Sequence, residues 1–302
     1  MPLSEQKTDR ILGALLGGAV GDALGMPVTG FSHQNIRTFY KGIKEYRDDE
    51  RRGELAAGRW TAHTQRIFAL CRALTESGGR SDLRNAISRV IGATKLRRST
   101  SDAGSSSHLA ALIAPLGVKG AIAGWPLEEI VAHTVLVGNE VNDHPSTLAA
   151  AVGQTVALSI SLTVTSPIEG TSFCIEVAEG VREAERSFGS DESVSTRIIS
   201  LADHLNEFPL DLQDLCNGTG SAADEAFPFA IAMFARGPDL PEATLLSGIN
   251  VGGDASVIGT MVGALLGARN GWSAFLEEWR TGLEDVDRLV AEAQSFISTL
   301  AD

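Results

Sequence analysis

Two aspartates in glycine-rich, apolar segments are the residues whose type and position most clearly suggest chemistry. Asp22 interrupts the apolar run 11–28, and Asp254 stands before a second apolar segment near the C-terminus. Two carboxylates at one pocket can carry out general acid and base catalysis. Asp254 could equally be a first-turn acid that complements a helix dipole. The pairing therefore depends on whether the two segments meet.

Polar residues and glycines surround Asp254 in the order Asn250-Val-Gly252-Gly253-Asp254-Ala-Ser256. The two glycines permit a backbone turn that other residues resist. This clustering favours a site over a simple helix start. We therefore predict that Asp254 is catalytic, together with Asp22. The residues predicted to bind substrate are Asn250, Gly252, Gly253 and Ser256.

A threonine and a histidine open a further helix, in the sequence Thr61-Ala-His63. Thr61 is a suitable N-cap. His63 would tend to stay neutral, because the positive end of a helix dipole disfavours imidazolium, and a neutral imidazole can act as a base or a ligand. His144 begins another helix and His108 ends a serine-rich loop, but neither has metal-ligand spacing to another histidine. We predict His63 as catalytic and Thr61 and His144 as substrate-binding.

The segments that carry these residues are helical almost throughout. Apolar residues recur with helical spacing, and no stretch shows the alternation of apolar and polar residues that is typical of a half-buried strand. No segment has the composition of an interdomain linker. We predict an all-α fold with residues 1–302 as a single domain. The predicted helices cover residues 9–25 (with Thr8 or Asp9 as N-cap), 61–77, 82–96, 109–116, 126–138, 145–164, 172–188, 193–205, 222–234, 241–249, 255–268 and 272–300.

Glycines recur at every fourth position in two of these helices, so each set lies along one helix face. The two sets are Gly13, Gly17, Gly21 and Gly25, and Gly259, Gly263, Gly267 and Gly271. The last member of each set can be a C-cap. An interior glycine costs about 0.5–1 kcal/mol relative to alanine. We expect a compensating gain, namely close approach of the two helix backbones in the middle of the domain.

The charge distribution limits the classes of partner. The net charge of −13 argues against general nucleic-acid binding. Residues 1–119 nevertheless carry 18 Lys and Arg against 11 Asp and Glu. This part can offer a basic face to a phosphate-bearing small ligand, although an unevenly charged solvated surface is the simpler interpretation. The three cysteines are too widely spaced for a disulfide framework, which predicts a cytoplasmic protein. The first ten residues are polar and the apolar run 11–28 is interrupted by Asp22, so we expect a soluble protein without a membrane partner.

Several separated segments resemble, in order and spacing, the ADP-ribosylglycohydrolase family, the all-α hydrolases related to the dinitrogenase reductase-activating glycohydrolase. The matching segments are 11–28, Gly58-Arg-Trp-Thr61, Ile113-Ala-Pro-Leu-Gly117, His144-Pro145, 220–234, Asn250-Val-Gly-Gly-Asp254 and 263–271. The resemblance implies hydrolysis of a glycosidic bond at C1″ of ADP-ribose. The substrate would be a small nucleotide sugar or an ADP-ribosylated molecule.

In this family two Mg²⁺ or Mn²⁺ ions are held by a Thr-Asp-Asp motif and an Asp-x-Asp-Thr motif. The six corresponding positions carry Thr61, Ala62, His63, Asp254, Ser256 and Val257. A family glutamate falls near Thr29, and the central Asn-Gly pattern reads Ser107-His108. A binuclear magnesium site needs several anionic oxygen ligands, and one carboxylate remains. The resemblance therefore predicts that the binuclear centre is lost and that no cofactor is bound.

Two functions follow most directly. The first is metal-independent hydrolysis of an N- or O-glycosidic bond in an ADP-ribose- or nucleoside-like substrate. In it Asp254 or His63 activates water, and Asp22 orients or stabilises the oxocarbenium-like centre. The alternative is a catalytically inactive family member that binds an ADP-ribose-like ligand or has a structural role. The sequence slightly favours the enzyme.

Two metal-dependent readings also remain open. A metal hydrolase with rearranged ligands could draw on Asp102, Asp143 or His144. A single softer ion such as Zn²⁺ could bind His63 and Asp254, but a third clear ligand is lacking. We rank both below the metal-independent functions.

Overall fold

The computed structural model describes residues 3–49, 51, 55–77, 80–93 and 104–300. This part of the chain contains no β-strand, only two isolated bridges, so the predicted all-α class is confirmed. Its sixteen α-helices are α1 Glu5–Gly25, α2 His33–Tyr40, α3 Ala62–Glu76, α4 Arg80–Ala93, α5 His108–Leu112, α6 Ala114–Ala123, α7 Leu127–Val141, α8 Pro145–Thr163, α9 Gly170–Phe188, α10 Ser193–Ala202, α11 Pro209–Leu215, α12 Ala226–Arg236, α13 Pro241–Val251, α14 Ala255–Asn270, α15 Glu277–Gly282 and α16 Val286–Ser298.

Helices α1 and α14 form an antiparallel pair at the centre of the domain. Residues 13–25 and 255–268 are buried without exception, as expected for helices enclosed on all sides. A Cβ atom added at Gly21 would lie 1.8 Å from the carbonyl oxygen of Gly259. The same close approach occurs between Gly17 and Gly263 and between Gly13 and Gly267. The predicted backbone contact is confirmed, because no larger residue would fit there.

The other helices cover this pair. Helices α3, α6 and α16 pack on α1, while α8, α12 and α13 pack on α14. Helices α1 and α8 are long and apolar enough to cross a membrane, but 94% and 78% of the residues in their apolar windows are buried inside the fold. That burial is typical of core helices. The three cysteines are free and buried.

The ends of some helices differ from the prediction. Helix α1 begins at Glu5, because the side chain of Ser4 accepts a hydrogen bond from the backbone N–H of Lys7 at 3.2 Å. The predicted caps Thr8 and Asp9 are therefore wrong, and both lie inside the helix.

The predicted helix 272–300 is divided instead of continuous. Helix α15 ends at Gly282 and α16 begins at Val286, and between them Asp285 adopts a left-handed conformation with φ 54°. Helices α2 and α11 were not predicted at all. Each buries a single residue, so neither leaves a clear periodic pattern in the sequence.

Candidate active site

Asp22 forms the N-terminal anchor of α3. Its carboxylate is fully buried and accepts four hydrogen bonds. The backbone N–H and the hydroxyl of Thr61 donate at 2.8 and 2.7 Å, and those of Thr64 donate at 3.2 and 2.7 Å. The first N–H groups of a helix have no partner within the helix, and a negative charge there also complements the dipole. Thr61 is the N-cap residue of α3, as predicted.

This anchor places His63 at the first turn of α3, close to two aspartates. The charges of Asp22 and Asp254 both act on the His63 imidazole. The two carboxylates do not share partners, however, because Asp22 bonds to α3 and Asp254 bonds to a histidine. The structure therefore brings both predicted aspartates close enough for their charges to act on His63. The catalytic role of Asp22 stays a prediction.

The backbone turn at Gly252 and Gly253, which we call the glycine turn, precedes α14 and positions Asp254. Gly252 and Gly253 have φ of 95° and 73°, a region that favours glycine. The N–H of Gly253 donates to the carbonyl of Phe31 at 2.9 Å, and the N–H of Asp254 donates to the carbonyl of Thr219 at 2.7 Å. A Cβ at Gly253 would lie 2.1 Å from that same Thr219 oxygen. The turn predicted from the two glycines is confirmed.

Asp254 and two histidines form one cluster, which we call the histidine–aspartate cluster (His63, His108 and Asp254). Nε2 of His108 lies 3.2 Å from Oδ2 of Asp254, and the two side chains are 30% and 14% exposed. The ring centroids of His63 and His108 are 5.3 Å apart. His63 is partly buried, and its Nδ1 has no hydrogen-bond partner among the described residues. A buried polar atom without a partner is uncommon and calls for an explanation.

The cluster sets the charge state of its members. Burial alone would raise the pKa of Asp254, but the hydrogen bond and charge of His108 and the charge of His63 lower it below its ordinary value. Burial lowers the pKa of His63, with His108 adding to that effect and the two aspartates opposing it. Near neutral pH the site therefore offers an ionised carboxylate beside an uncharged imidazole.

The donor chemistry of the cluster does not fit the binuclear magnesium or manganese centre that the resemblance implies. One carboxylate and two imidazoles face each other, whereas Mg²⁺ needs several oxygen ligands in near-octahedral geometry. Among the described residues, no three His, Cys, Asp or Glu side chains are arranged to hold a metal ion. The loss of the centre stays a prediction, which this donor set supports.

Asn250 has structural partners. Its side-chain oxygen accepts from the N–H of Ile43 at 2.6 Å, and its amide group donates to the carbonyl oxygens of Ile43 and Leu246. Its backbone carbonyl lies 2.8 Å from Nδ1 of His33. Asn250 therefore joins α13 to the first residue of α2, His33, and to Ile43, which follows α2. The substrate-binding role predicted for it stays a prediction.

The backbone N–H of Ser256 donates to the hydroxyl of Thr29 at 3.0 Å, and that hydroxyl donates to the carbonyl of Gly25 at 3.1 Å. The residue at the position of the family glutamate thus helps to join the end of α1 to the start of α14. Substrate binding by Ser256, like that predicted for Gly252 and Gly253, stays a prediction.

His144 lines a cleft of about 540 Å³ together with Ser105 and Asp224. Its Nδ1 is buried and has no partner within the described residues. The loop that contains Ser105 continues directly to His108, so one short segment contributes both to this cleft and to the cluster. The predicted role of His144 in substrate binding stays a prediction. Asp102, considered above as a metal ligand, lies outside the described residues.

His108 belongs to the cluster but was not among the predicted site residues. It ends a serine-rich loop, and 146 positions separate it from Asp254, so no local pattern links the two residues. One signal was available, because His108 stands where the family pattern has its central Asn-Gly. At His63, too, the family pattern is replaced by histidine.

The chain is similar to proteins from Archaeoglobus fulgidus and Homo sapiens. An uncharacterized protein from Archaeoglobus fulgidus is 25% identical over 298 residues, which are 92% of each chain. ADP-ribosylhydrolase ARH3 from Homo sapiens is 27% identical over 277 residues, which cover 85% of this chain and 70% of the human protein. The fold matches a solved structure described as an ADP-ribosylglycohydrolase-related protein complex, with a TM-score of 0.75 at 21% identity over 98% of this chain and 100% of that one. The model of the ADP-ribosylglycohydrolase family matches residues 3–302, so the chain belongs to the ADP-ribosylglycohydrolase family.

Proposed function

We propose that this chain hydrolyses an N- or O-glycosidic bond in an ADP-ribose- or nucleoside-like substrate without a binuclear metal centre. Family membership supports a hydrolase that acts on ADP-ribose-related substrates. The observation that carries the finer proposal is the histidine–aspartate cluster. It provides an ionised carboxylate and a neutral imidazole at the positions where the family places metal ligands.

The two charge states suit two different tasks. Departure of the leaving group creates positive charge at the anomeric carbon, and the Asp254 carboxylate stabilises that charge. The neutral imidazole of His63 accepts a proton from the attacking water. The water oxygen bonds to the anomeric carbon while the glycosidic bond breaks with its electron pair on the leaving nitrogen or oxygen. The proton taken up by His63 then passes to the leaving group, which completes the hydrolysis.

His108 and Asp22 act as positioning residues in this proposal. The hydrogen bond from His108 fixes the orientation of the Asp254 carboxylate and keeps it ionised. Asp22 holds the first turn of α3 through Thr61 and Thr64, which fixes His63. Mispositioning a reacting group by about 1 Å can reduce the rate roughly 100-fold, so both residues matter without touching substrate.

The test is turnover by purified protein after exhaustive treatment with EDTA, using an ADP-ribosylated protein and a panel of nucleosides. We expect His63→Gln to reduce turnover by about 10²- to 10⁴-fold, the usual contribution of a general base. We expect Asp254→Asn to reduce it by about 10²- to 10³-fold, the usual effect of removing one electrostatic stabiliser of the transition state. The matched controls are Asp287→Asn and His204→Gln, which replace exposed or half-exposed side chains on other helices or loops. Activity that disappears with EDTA and returns with Mg²⁺ would refute metal independence.

An inactive family member that binds an ADP-ribose-like ligand is the second candidate. One observation favours it: Asp22 is fully buried and engaged in four hydrogen bonds, whereas glycosidases generally present two carboxyl groups to the substrate. Calorimetric titration with ADP-ribose, with and without Mg²⁺, separates the candidates. Metal-independent binding without turnover of any substrate in the panel would favour this candidate over the hydrolase.

A further inference from the structure

The loop between α11 and α12, residues 216–225, contacts both the segment that carries Asp254 and the segment that carries His108. It bonds on one side to the glycine turn and on the other side to residues 105–107, which lead into His108. We propose that this bridging loop positions the histidine–aspartate cluster, with Thr219 as the residue that holds Asp254. Its effect on turnover rests on the proposed function, whereas the positioning itself can be measured without a substrate.

Thr219 holds the glycine turn through its backbone and its side chain. Its carbonyl oxygen accepts from the N–H of Asp254 at 2.7 Å, and its hydroxyl donates to the carbonyl of Gly252 at 3.1 Å. The same hydroxyl accepts from Nε2 of Gln213 at 2.8 Å, which leaves its single hydrogen for Gly252. Thr219 is buried. The backbone on both sides of Gly253 is therefore bonded to one buried threonine.

The other side of the bridging loop holds the residue before His108. The N–H of Ser107 donates to the carbonyl of Ser221 at 2.7 Å, and the hydroxyl of Ser107 donates to the carbonyl of Ala222 at 3.0 Å. Ser107 is fully buried, and His108 directly follows it as the first residue of α5. The bridging loop therefore fixes the point at which the chain enters α5.

The two attachments lie close together in the chain. Thr219 and Ser221 are separated by one residue, and two residue steps of chain span at most about 7 Å. The loop is also closed on itself, because Oε2 of Glu225 accepts from the N–H of Gly220, between the two attachments, at 2.8 Å. A displacement at one attachment is therefore passed to the other.

The contact that depends on both attachments is the one between Nε2 of His108 and Oδ2 of Asp254, at 3.2 Å. Hydrogen bonds from nitrogen to oxygen are usually about 2.7–3.2 Å long, so this contact is at the upper limit. A further separation of a few tenths of an ångström would break it. Thr219 is thus a positioning residue, which acts through Asp254 and does not touch substrate.

The first experiment replaces Thr219 by valine, which has a similar shape but lacks the hydroxyl. Nitrogen-15 NMR of the imidazole rings reports whether Nε2 of His108 is bonded to a carboxylate. We expect the His108 signals of Thr219→Val to move toward those of Asp254→Ala, while the His204 signals stay in place. Thr219→Ser keeps the hydroxyl and should restore the original spectrum. The matched control is Thr134→Val, because Thr134 is fully buried and its hydroxyl has no hydrogen-bond partner among the described residues.

Turnover gives a second readout, which a purely structural role would not produce. Thr219→Val should lower kcat by up to about 100-fold and leave KM nearly unchanged, because it displaces a reacting group without removing a substrate contact. In the Asp254→Ala background the same substitution should cost little more, since the effects of residues that act through one another do not add. Equal losses in both backgrounds would contradict the proposal.

Unchanged His108 signals in Thr219→Val would also overturn it, as would an equal change in Thr134→Val. If Thr219→Val does not fold, Ser107→Ala tests the loop from its other side, and it should move the His108 signals in the same direction. If the signals respond to Thr219 and no substrate is turned over, the positioning stands without the hydrolase. If they ignore Thr219 and the chain is active, the positioning is refuted and the hydrolase stands.

Discussion

Replacing Asp22 distinguishes an anchoring role from a chemical one. In Asp22→Ala the two backbone N–H groups of Thr61 and Thr64 lose their acceptor inside the core. Each buried donor without a partner costs about 1–3 kcal/mol, whereas the two hydroxyls can turn toward other acceptors. We expect a loss of about 4 kcal/mol in the free energy of unfolding. For a domain of 302 residues that lowers Tm by roughly 6 °C.

Asp22→Asn should be much milder. Its carbonyl oxygen can take the place of Oδ2, which accepts from both backbone N–H groups, and its amide group then stands where Oδ1 meets the Thr61 hydroxyl. That hydroxyl can rotate and accept instead of donating. Only the charge is lost, at a helix N-terminus where it contributes about 0.3–2 kcal/mol. We therefore expect a loss of about 1–2 kcal/mol.

Urea unfolding followed by circular dichroism measures both variants, with Asp287→Asn and Asp287→Ala as surface controls that should change stability by less than about 0.5 kcal/mol. A loss below about 1 kcal/mol in Asp22→Ala would refute the anchoring argument. Equal losses in the Asn and Ala variants would show that the charge matters more than the acceptor geometry. A stable Asp22→Asn with turnover reduced more than about 100-fold would place Asp22 in the chemistry itself.

Three further outcomes are expected. Gly21→Ala should cost at least about 2 kcal/mol, because its Cβ would overlap a carbonyl of α14. At Gly18 a Cβ would lie 3.3 Å from the flexible Cδ1 methyl of Ile67 and 3.4 Å from the carbonyl oxygen of Thr260, without overlap, so Gly18→Ala should cost much less. Equal urea midpoints for the two variants would contradict this. The free energy of unfolding should fall as the pH drops below about 6.5, because the pKa of His63 is lower in the folded chain than in the unfolded chain, which therefore takes up the proton first. His63→Gln should flatten this pH dependence. An unchanged slope in the variant would refute the lowered pKa of His63. Gly253→Ala should reduce turnover more than Gly30→Ala, since both have positive φ but only the former meets a carbonyl, at 2.1 Å; equal activities would exclude a positioning role for the turn.

Much of the fold could be predicted because its determinants are local or periodic. The glycine stripes of α1 and α14 identify the central pair, since only glycines at this spacing allow two backbones to touch along several turns. The short helices α2 and α11 could not be found in the same way. Ile36 and Leu212 are the only buried residues they contribute, so burial gives them no repeating pattern.

The site was predictable only in part, because local sequence determines some of its features and the tertiary fold determines the others. The turn at Gly252 and Gly253 and the cap at Thr61 depend on neighbouring residues, and both were predicted. The partners of the charged groups depend on the tertiary fold. No local rule shows that Asp22 would bond to a helix 39 residues away, or that His108 would reach Asp254.

The electrostatics of the site bear on whether a cation is needed to keep it folded. A set of carboxylates that coordinates two divalent ions repels itself when the ions are removed. Here the charge of Asp22 is met by four donors and that of Asp254 by His108, so neither carboxylate depends on a metal. Tm should therefore be the same, within about 1 °C, in EDTA and in millimolar Mg²⁺. A metal bound at 100 times its Kd would add about 2.7 kcal/mol, which is several degrees. A rise of that size with Mg²⁺ would contradict the view that imidazoles have replaced the metal centre.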